Sequence, residues 1–566
     1  MDKARKPVGG TYLFFLVLLF FTLFFLLPVS TVFKDAFISN AGMPTLTHMR
    51  RIVLSPYYLR IIGFTALQAG VSAVFSVLFG LPGAYILSHY SFPGKRALRS
   101  VTTIPFVMPA ILVVLGFIIL FGNNGIINQL LMKITGANDP PLPILYSFSA
   151  IILAHVFYNF PIAMRLIASS WEHISDKNIE SARTLGAGPL YRFRTITLPR
   201  LLPGIIASWT LIFLFCFLSF AVILVLGGGP KYTTTEVEVY RLARFSLDFP
   251  TAGALSVFQA VISLGILFGY SKIQNRLSFE ERNIENRSLR PLRLLTSGRG
   301  RNWVVITGLS VYALIVLIII ILPLITIVVR SFQAAGGWNR DTFFTLKWYR
   351  FLVTADSIAA SSVTMRAVIN SVSIAVGSTL ISVFFGLVSA YRLRNPRLKG
   401  GAVFQTLFLL PMGISTVLLG LGYIRIIHLL PAHRAGILIL IAAHAVISFP
   451  FVFRSLQPSI QNINTRLRDA AFTLGAGSGM VFRTVELPLI RSAVVSAAVF
   501  AFAISIGEIN TTILLAPEGF ATIPVAVYRL ISSYNFFGAC ALGTILLFLC
   551  GGAFYIVDFI LPKEKI

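Results

Sequence analysis

Glu180-Ser181-Ala182, three residues, Gly186, nine residues and then Ile196-Thr197-Leu198-Pro199 form a polar passage in an otherwise apolar chain. About 290 residues later the pattern returns as Asp469-Ala470-Ala471, three residues, Gly475, nine residues and Val485-Glu486-Leu487-Pro488. The two copies align without insertion or deletion, and each lies between two long hydrophobic stretches. A duplicated polar insert of fixed spacing in such a chain reads as a surface made to be gripped by another molecule.

The stretches on either side decide the solvent. Of 566 residues 56% are hydrophobic and only 12% are charged, a balance that calls for a bilayer rather than water. Apolar runs long enough to cross about 30 Å of hydrocarbon as helix fall near 11–33, 62–88, 101–121, 146–169, 202–226 and 251–271. A second set falls near 303–329, 367–391, 402–424, 435–455, 491–515 and 535–560. The expectation is an all-α polytopic membrane protein of about twelve transmembrane helices. A transmembrane β-barrel is excluded, because its strands alternate apolar and polar residues and give no long continuous runs.

The net charge of +27 would point to nucleic acid in a soluble protein. In a membrane protein it reads as topology, since basic residues stay on the cytoplasmic side. Lys3, Arg5 and Lys6 precede the first run, Lys95, Arg96 and Arg99 follow the second, and Arg392, Arg394, Arg397 and Lys399 follow the eighth. A cytoplasmic N-terminus puts about two-thirds of all Lys and Arg inside, together with both polar passages. Arg50, Arg51 and Arg60 then lie outside. The first run is too long for a signal-peptide core and reads as an uncleaved span. Cys216, Cys540 and Cys550 fall in apolar runs without metal-ligand spacing and read as packing residues.

Between 272 and 302 the chain carries many arginines and almost no apolar periodicity, which reads as a cytoplasmic linker. It divides the chain into six-span halves, 1–271 and 303–566. Six is even, so both halves enter the membrane in the same sense, as parallel repeats. The likeness extends beyond the polar passage. His155 through Pro161 matches His444 through Pro450, Arg165 matches Arg454, and Phe193-Arg194-Thr195 matches Phe482-Arg483-Thr484. Upstream, Gly80 through Tyr85 pairs with Gly386 through Tyr391 at a larger offset. Chance likeness between Leu-rich helices does not explain matches made mainly of Pro, Gly, His and Arg.

Within the passage, Ser175 and Asp176 are placed to cap a helix start. Ile179, Ala182 and Leu185 follow at helical spacing, and Gly186 and Gly188 are placed to end the helix in a left-handed turn. Leu198-Pro199 suits the first turn of the next span. Small Ala residues allow close approach, and Glu180 or Asp469 is placed to meet a basic group.

These residues resemble a known family. Glu-Ala-Ala, three residues, Gly, nine residues, Ile-x-Leu-Pro is the cytoplasmic coupling motif of permease subunits in bacterial ATP-binding-cassette importers. Here Ser181 replaces Ala, Asp469 replaces Glu and Val485 replaces Ile; Glu180, Ala182, Gly186, Leu198, Pro199, Ala470, Ala471, Gly475, Leu487 and Pro488 match. The resemblance implies the type I importer permease fold in fused, two-repeat form. It also implies a bacterial cytoplasmic-membrane location with both termini inside. The implied partners are two copies of a cytoplasmic ATPase, which hold ATP and Mg, and an extracytoplasmic binding protein. The chain itself carries no Walker A sequence, no cofactor and no covalent chemistry. Ile152 through Pro161, Ser219 through Pro230, Thr234 through Glu238 and Ser505 through Glu508 resemble thiamine permeases in particular, and ferric iron permeases share much of this pattern.

Ionisable groups inside spans are expensive and usually face a protein interior or a wet cavity. Glu508, with Ser505 and Asn510 nearby and Ser219 in the first half, marks the candidate substrate pathway. A carboxylate there would attract a cation, or instead serve helix packing. The repeated His155 and His444 read as shared structure in preference to metal ligands. Gly227-Gly228-Gly229-Pro230 lacks the context of a phosphate loop and reads as an outer turn. A secondary transporter driven by an ion gradient is the rival of a different class, but it needs no duplicated docking helix.

Overall fold

The structure, a computed structural model, describes residues 8–39, 42–172, 174, 176–227, 229–283, 292–293, 302–334, 344–353, 365–394, 400–427, 432–516 and 519–560. Eleven helices among these residues are long and apolar enough to cross a bilayer, and counting the bent pair Gly401–Gly413 and Thr416–Ile427, with 97° between its arms, as one broken span makes twelve. The reason is the solvent: hydrocarbon offers no hydrogen bonds, so each apolar run satisfies its backbone internally as helix.

Besides the bent run near 402–424, three of the expected spans differ from the sequence reading. The run near 101–121 is broken where Met108 and Pro109 are extended (ψ 137° and 132°), and the crossing helix is Ala110–Thr135. Proline forces this, because its ring pushes the preceding residue out of the helical region. The runs near 202–226 and 491–515 are also not continuous. The fifth span, Pro189–Phe217, stops before Ser219, and a short helix, Ala221–Leu226, restarts beyond it. The eleventh, Ser478–Ile506, stops before Glu508, and Asn510–Leu515 restarts. Part of the linker expected over 272–302 is helical, since the helix Phe249–Asn283 runs past the membrane stretch. Leu292–Arg293 pairs in parallel with Tyr90–Ser91; the remainder of that linker lies outside the described residues.

The chain forms two compact units that interleave the sequence. One contains Met1–Ile52, Val239–Phe258 and Val328–Ile566, the other Val53–Glu238 and Gln259–Ile327. In the former, the first span packs on second-half helices: Phe21 lies 5.1 Å from Phe408 and 4.7 Å from Phe449 between ring centroids. The Tyr423 hydroxyl donates to the Phe24 carbonyl, and a Cβ on Gly422 would overlap the Pro28 carbonyl, so only glycine permits that approach. In the latter unit, Val316 and Ile320 of the seventh span are wholly buried among Ala69, Phe160, Met164 and Ile212. Each opening span is thus built into the unit that holds most of the other half.

Candidate functional site

The two copies of the polar passage fold alike. A short helix, Asp176–Thr184 in the first and Thr465–Thr473 in the second, is followed by a left-handed glycine, Gly186 at φ +82° and Gly475 at φ +84°. The turn closes by the same bonds: Ala187 N–H donates to the Ala182 carbonyl at 2.9 Å, and Ala476 N–H to that of Ala471 at 3.1 Å. Such a 6→1 bond needs the positive φ that glycine supplies at least cost. Gly188, expected to share this task, instead has φ −66° and opens the next helix ahead of Pro189. In the second copy the Asn464 side chain caps the helix, accepting from Arg466 N–H at 3.0 Å. The corresponding cap expected from Ser175 lies outside the described residues.

Leu185 does not join Ile179 on an inward face. Ile179 packs against the core, whereas Leu185 is 87% exposed and its counterpart Leu474 is 88% exposed. Tyr191 and Met480, also matched, are exposed as well. Glu180, Ser181, Asp469 and Ala470 are exposed beside them, while Ala182 is half-buried. Each passage therefore presents an apolar tip and a carboxylate on a twice-used scaffold. Exposed leucines of this kind are cheap to bury against a partner and costly to leave in water.

Pro199 and Pro488 stand elsewhere than expected. The following spans begin at Pro189 and Ser478, so each proline lies about ten residues inside a continuous helix. A π turn precedes it in both copies, Phe193–Thr197 and Phe482–Glu486, with Leu198 N–H bonded to the Phe193 carbonyl and Leu487 N–H to that of Phe482. The wider turn relieves the clash between the proline ring and the carbonyl four residues back.

The pathway candidates gather at the two helix breaks. Ser219 and Glu508 occupy equivalent positions, where the backbone leaves the helix within an apolar run. Glu508 is 8% exposed, and its carboxylate accepts from the N–H groups of Asn510 (3.1 Å), Thr511 (3.2 Å) and Thr512 (3.3 Å). It thereby satisfies donors that a helix start leaves unpaired. Asn510 Nδ2 donates to Thr416 Oγ1 at 2.8 Å.

A histidine fastens each break to its neighbours. His155 contacts Ser72 through Nδ1 (3.1 Å) and Ser219 through Nε2 (2.9 Å). His444 contacts Ser505 through Nδ1 (2.8 Å) and Thr512 through Nε2 (2.9 Å), and Ser505 reaches Ser378 at 2.8 Å. Both rings are buried and hydrogen-bonded at each nitrogen, a structural use of histidine. Among the described residues no cluster of three or more His, Cys, Asp or Glu is disposed to hold a metal. Ser72, Ser378, Thr416 and Thr512 were not foreseen from the sequence. A serine or threonine in an apolar run is an ordinary packing residue until its partner, far away in the chain, is known.

A family model described as binding-protein-dependent transport system inner membrane component matches twice, over residues 76–279 and 382–565. The thiamine transport system permease protein of Brucella abortus (strain 2308) is 30% identical over 89% of this chain and 88% of its own length. That of Escherichia coli (strain K12) is 27% identical over 89% of each. The sulfate transport system permease protein CysT of Salmonella typhimurium is 29% identical, with 96% of its length matched by 49% of this chain. Nearly the whole of that protein thus corresponds to about half of the present chain.

Proposed function

The chain belongs to the family of binding-protein-dependent transport system inner membrane components, and we propose that it is the fused permease of an ATP-driven thiamine importer. It is a multi-pass membrane protein and a transport subunit rather than an enzyme. The observation that carries the proposal is the matched pair of exposed tips, Leu185-Gly186 and Leu474-Gly475, each on a left-handed glycine turn closed by the same hydrogen bond. Two equivalent sockets fit two copies of one cytoplasmic ATPase, which brings ATP and Mg, and put both termini inside. Closure of the ATPases draws the sockets together and moves the spans continuous with them. An extracytoplasmic binding protein delivers the solute.

The alignment with thiamine permeases over 89% of the chain favours thiamine above ferric iron. The helix breaks at Ser219 and Glu508, with Ser505 and Asn510 beside the second, support a substrate path there, since irregular backbone at membrane depth is tolerated where it lines a cavity or is buried in protein. An ion-gradient transporter leaves the doubled socket without a use.

The test is reconstitution in liposomes with the ATPase and binding protein, reading ATP hydrolysis and uptake with thiamine, ferric iron or a polyamine. Thiamine alone is expected to stimulate both. Uptake without any ATPase would refute the proposal, and stimulation by iron alone would replace the substrate.

A further inference from the structure

The two coupling elements differ at their base. In the second, Arg394 stands just past the helix Met365–Leu393, between the two ends of the coupling element. Its Nη2 donates to the Ile463 carbonyl at 2.8 Å, immediately before the capping residue Asn464. Its Nη1 donates to Glu486 Oε1 at 3.3 Å, at the end of the π turn Phe482–Glu486 in the first part of the eleventh span. Both charged side chains are largely withdrawn from solvent, 14% and 9% exposed. Tyr391, one turn earlier, sets its ring edge-on to Phe482 with 5.7 Å between centroids. One planar guanidinium therefore binds the entrance and the exit of the coupling element at once, as a fork with several donors can and a point charge cannot.

Among the described residues, the matched positions of the first element do not form this fork. The alignment puts Ser88 where Arg394 stands, Ile174 where Ile463 stands and Thr197 where Glu486 stands. Ser88 spends its hydroxyl locally, donating to the Tyr85 carbonyl at 3.1 Å and meeting His89 Nδ1 at 2.8 Å. Neither Ser88 nor Thr197 carries a charge.

We propose that Arg394 and Glu486 are positioning residues that clip the second coupling element to the eighth span, so that the two halves transmit ATPase closure unequally. This rests on the permease reading above. A clipped element moves with its spans as one body, whereas among the described residues the first element has beside its entrance the half-exposed pair Arg99–Glu172 (3.1 Å) and no such fork across its two ends. The clip is dispensable for docking, because its atoms lie at the base of the element, away from the exposed tip.

The experiment uses the full permease with its ATPase and binding protein in liposomes, and reads thiamine moved per ATP hydrolysed together with ATPase binding. Arg394→Met leaves the Glu486 carboxylate buried without its cation, so the paired variant R394M/E486L is made as well; it removes both charges and is expected to keep the fold. Both are expected to bind the ATPase as the wild type does and to lose about tenfold in thiamine per ATP. Ser88→Ala is expected to leave the ratio unchanged. A wild-type ratio in the paired variant would overturn the clip, as would loss of ATPase binding in a paired variant that remains folded. Absence of ATP-driven thiamine uptake by the wild type would be a separate outcome, overturning the permease reading and the clip with it.

Discussion

Truncating the exposed leucines tests the sockets one at a time. Leu185 and Leu474 are 87% and 88% exposed, so nearly the whole side chain is available to a partner and none of it supports the permease. Leu→Ala removes three carbons, worth about 2 kcal/mol at ~0.8 kcal/mol per buried methylene. That corresponds to about a thirtyfold loss of affinity at the altered socket. The permease itself is expected to change by less than about 0.5 kcal/mol, as for other exposed positions. With the permease in nanodiscs and no nucleotide present, titration with the ATPase is read by mass photometry. The wild type takes up two copies with one affinity, L185A or L474A takes up one normally and one about thirtyfold more weakly, and the double variant binds both weakly. A double variant with two wild-type sites and an unchanged thermal midpoint would refute the assignment of these tips as the contact.

Other perturbations separate backbone, cap and packing. Gly475→Ala puts a Cβ into open space but at φ +84°, and is expected to cost about 1–2 kcal/mol at the turn and to weaken ATPase binding up to about tenfold, whereas Gly477→Ala, at φ −71°, is expected to be neutral by the same titration. Glu508→Gln gives up a charged acceptor of three backbone N–H groups, and uptake is expected to fall while the ATPase still binds; normal uptake would remove Glu508 from the path. His444→Ala leaves the Ser505 and Thr512 hydroxyls without this partner, at a cost of about 2–4 kcal/mol, read as a shortened half-life in detergent at fixed temperature; an unchanged half-life would show that the ring does not fasten the break.

Much of the coupling element was legible because its rules are local. Gly186 and Gly475 announce left-handed turns by having no side chain, and the helix before each follows from a spacing of three and four residues. The exposure of Leu185 is not legible in the same way: helical spacing groups it with Ile179 and Ala182 without saying which side the protein covers. Pro199 and Pro488 were recognised as helix punctuation, but a sequence shows no π turn, and that turn lets the span begin ten residues earlier. Glu508 was singled out as an expensive charge in an apolar run. That it caps a restarted helix could not be read, because hydropathy is continuous across the break.

The solvent, the repeat and the doubled polar passage are all legible in the order of residues. Apolar length, Gly and Pro positions and matched spacings are properties of short stretches, and a bilayer leaves those stretches one choice of backbone. Packing in three dimensions adds that each opening span is built into the unit holding most of the other half, that the apolar runs after the fifth and eleventh spans are interrupted, and that Arg394 reaches Glu486 across 92 residues of chain. These rest on pairings between distant residues. Lipid is as apolar as leucine, so hydrophobicity drives a helix into the membrane without selecting its neighbour, and side-chain shape and a few buried polar contacts make that selection.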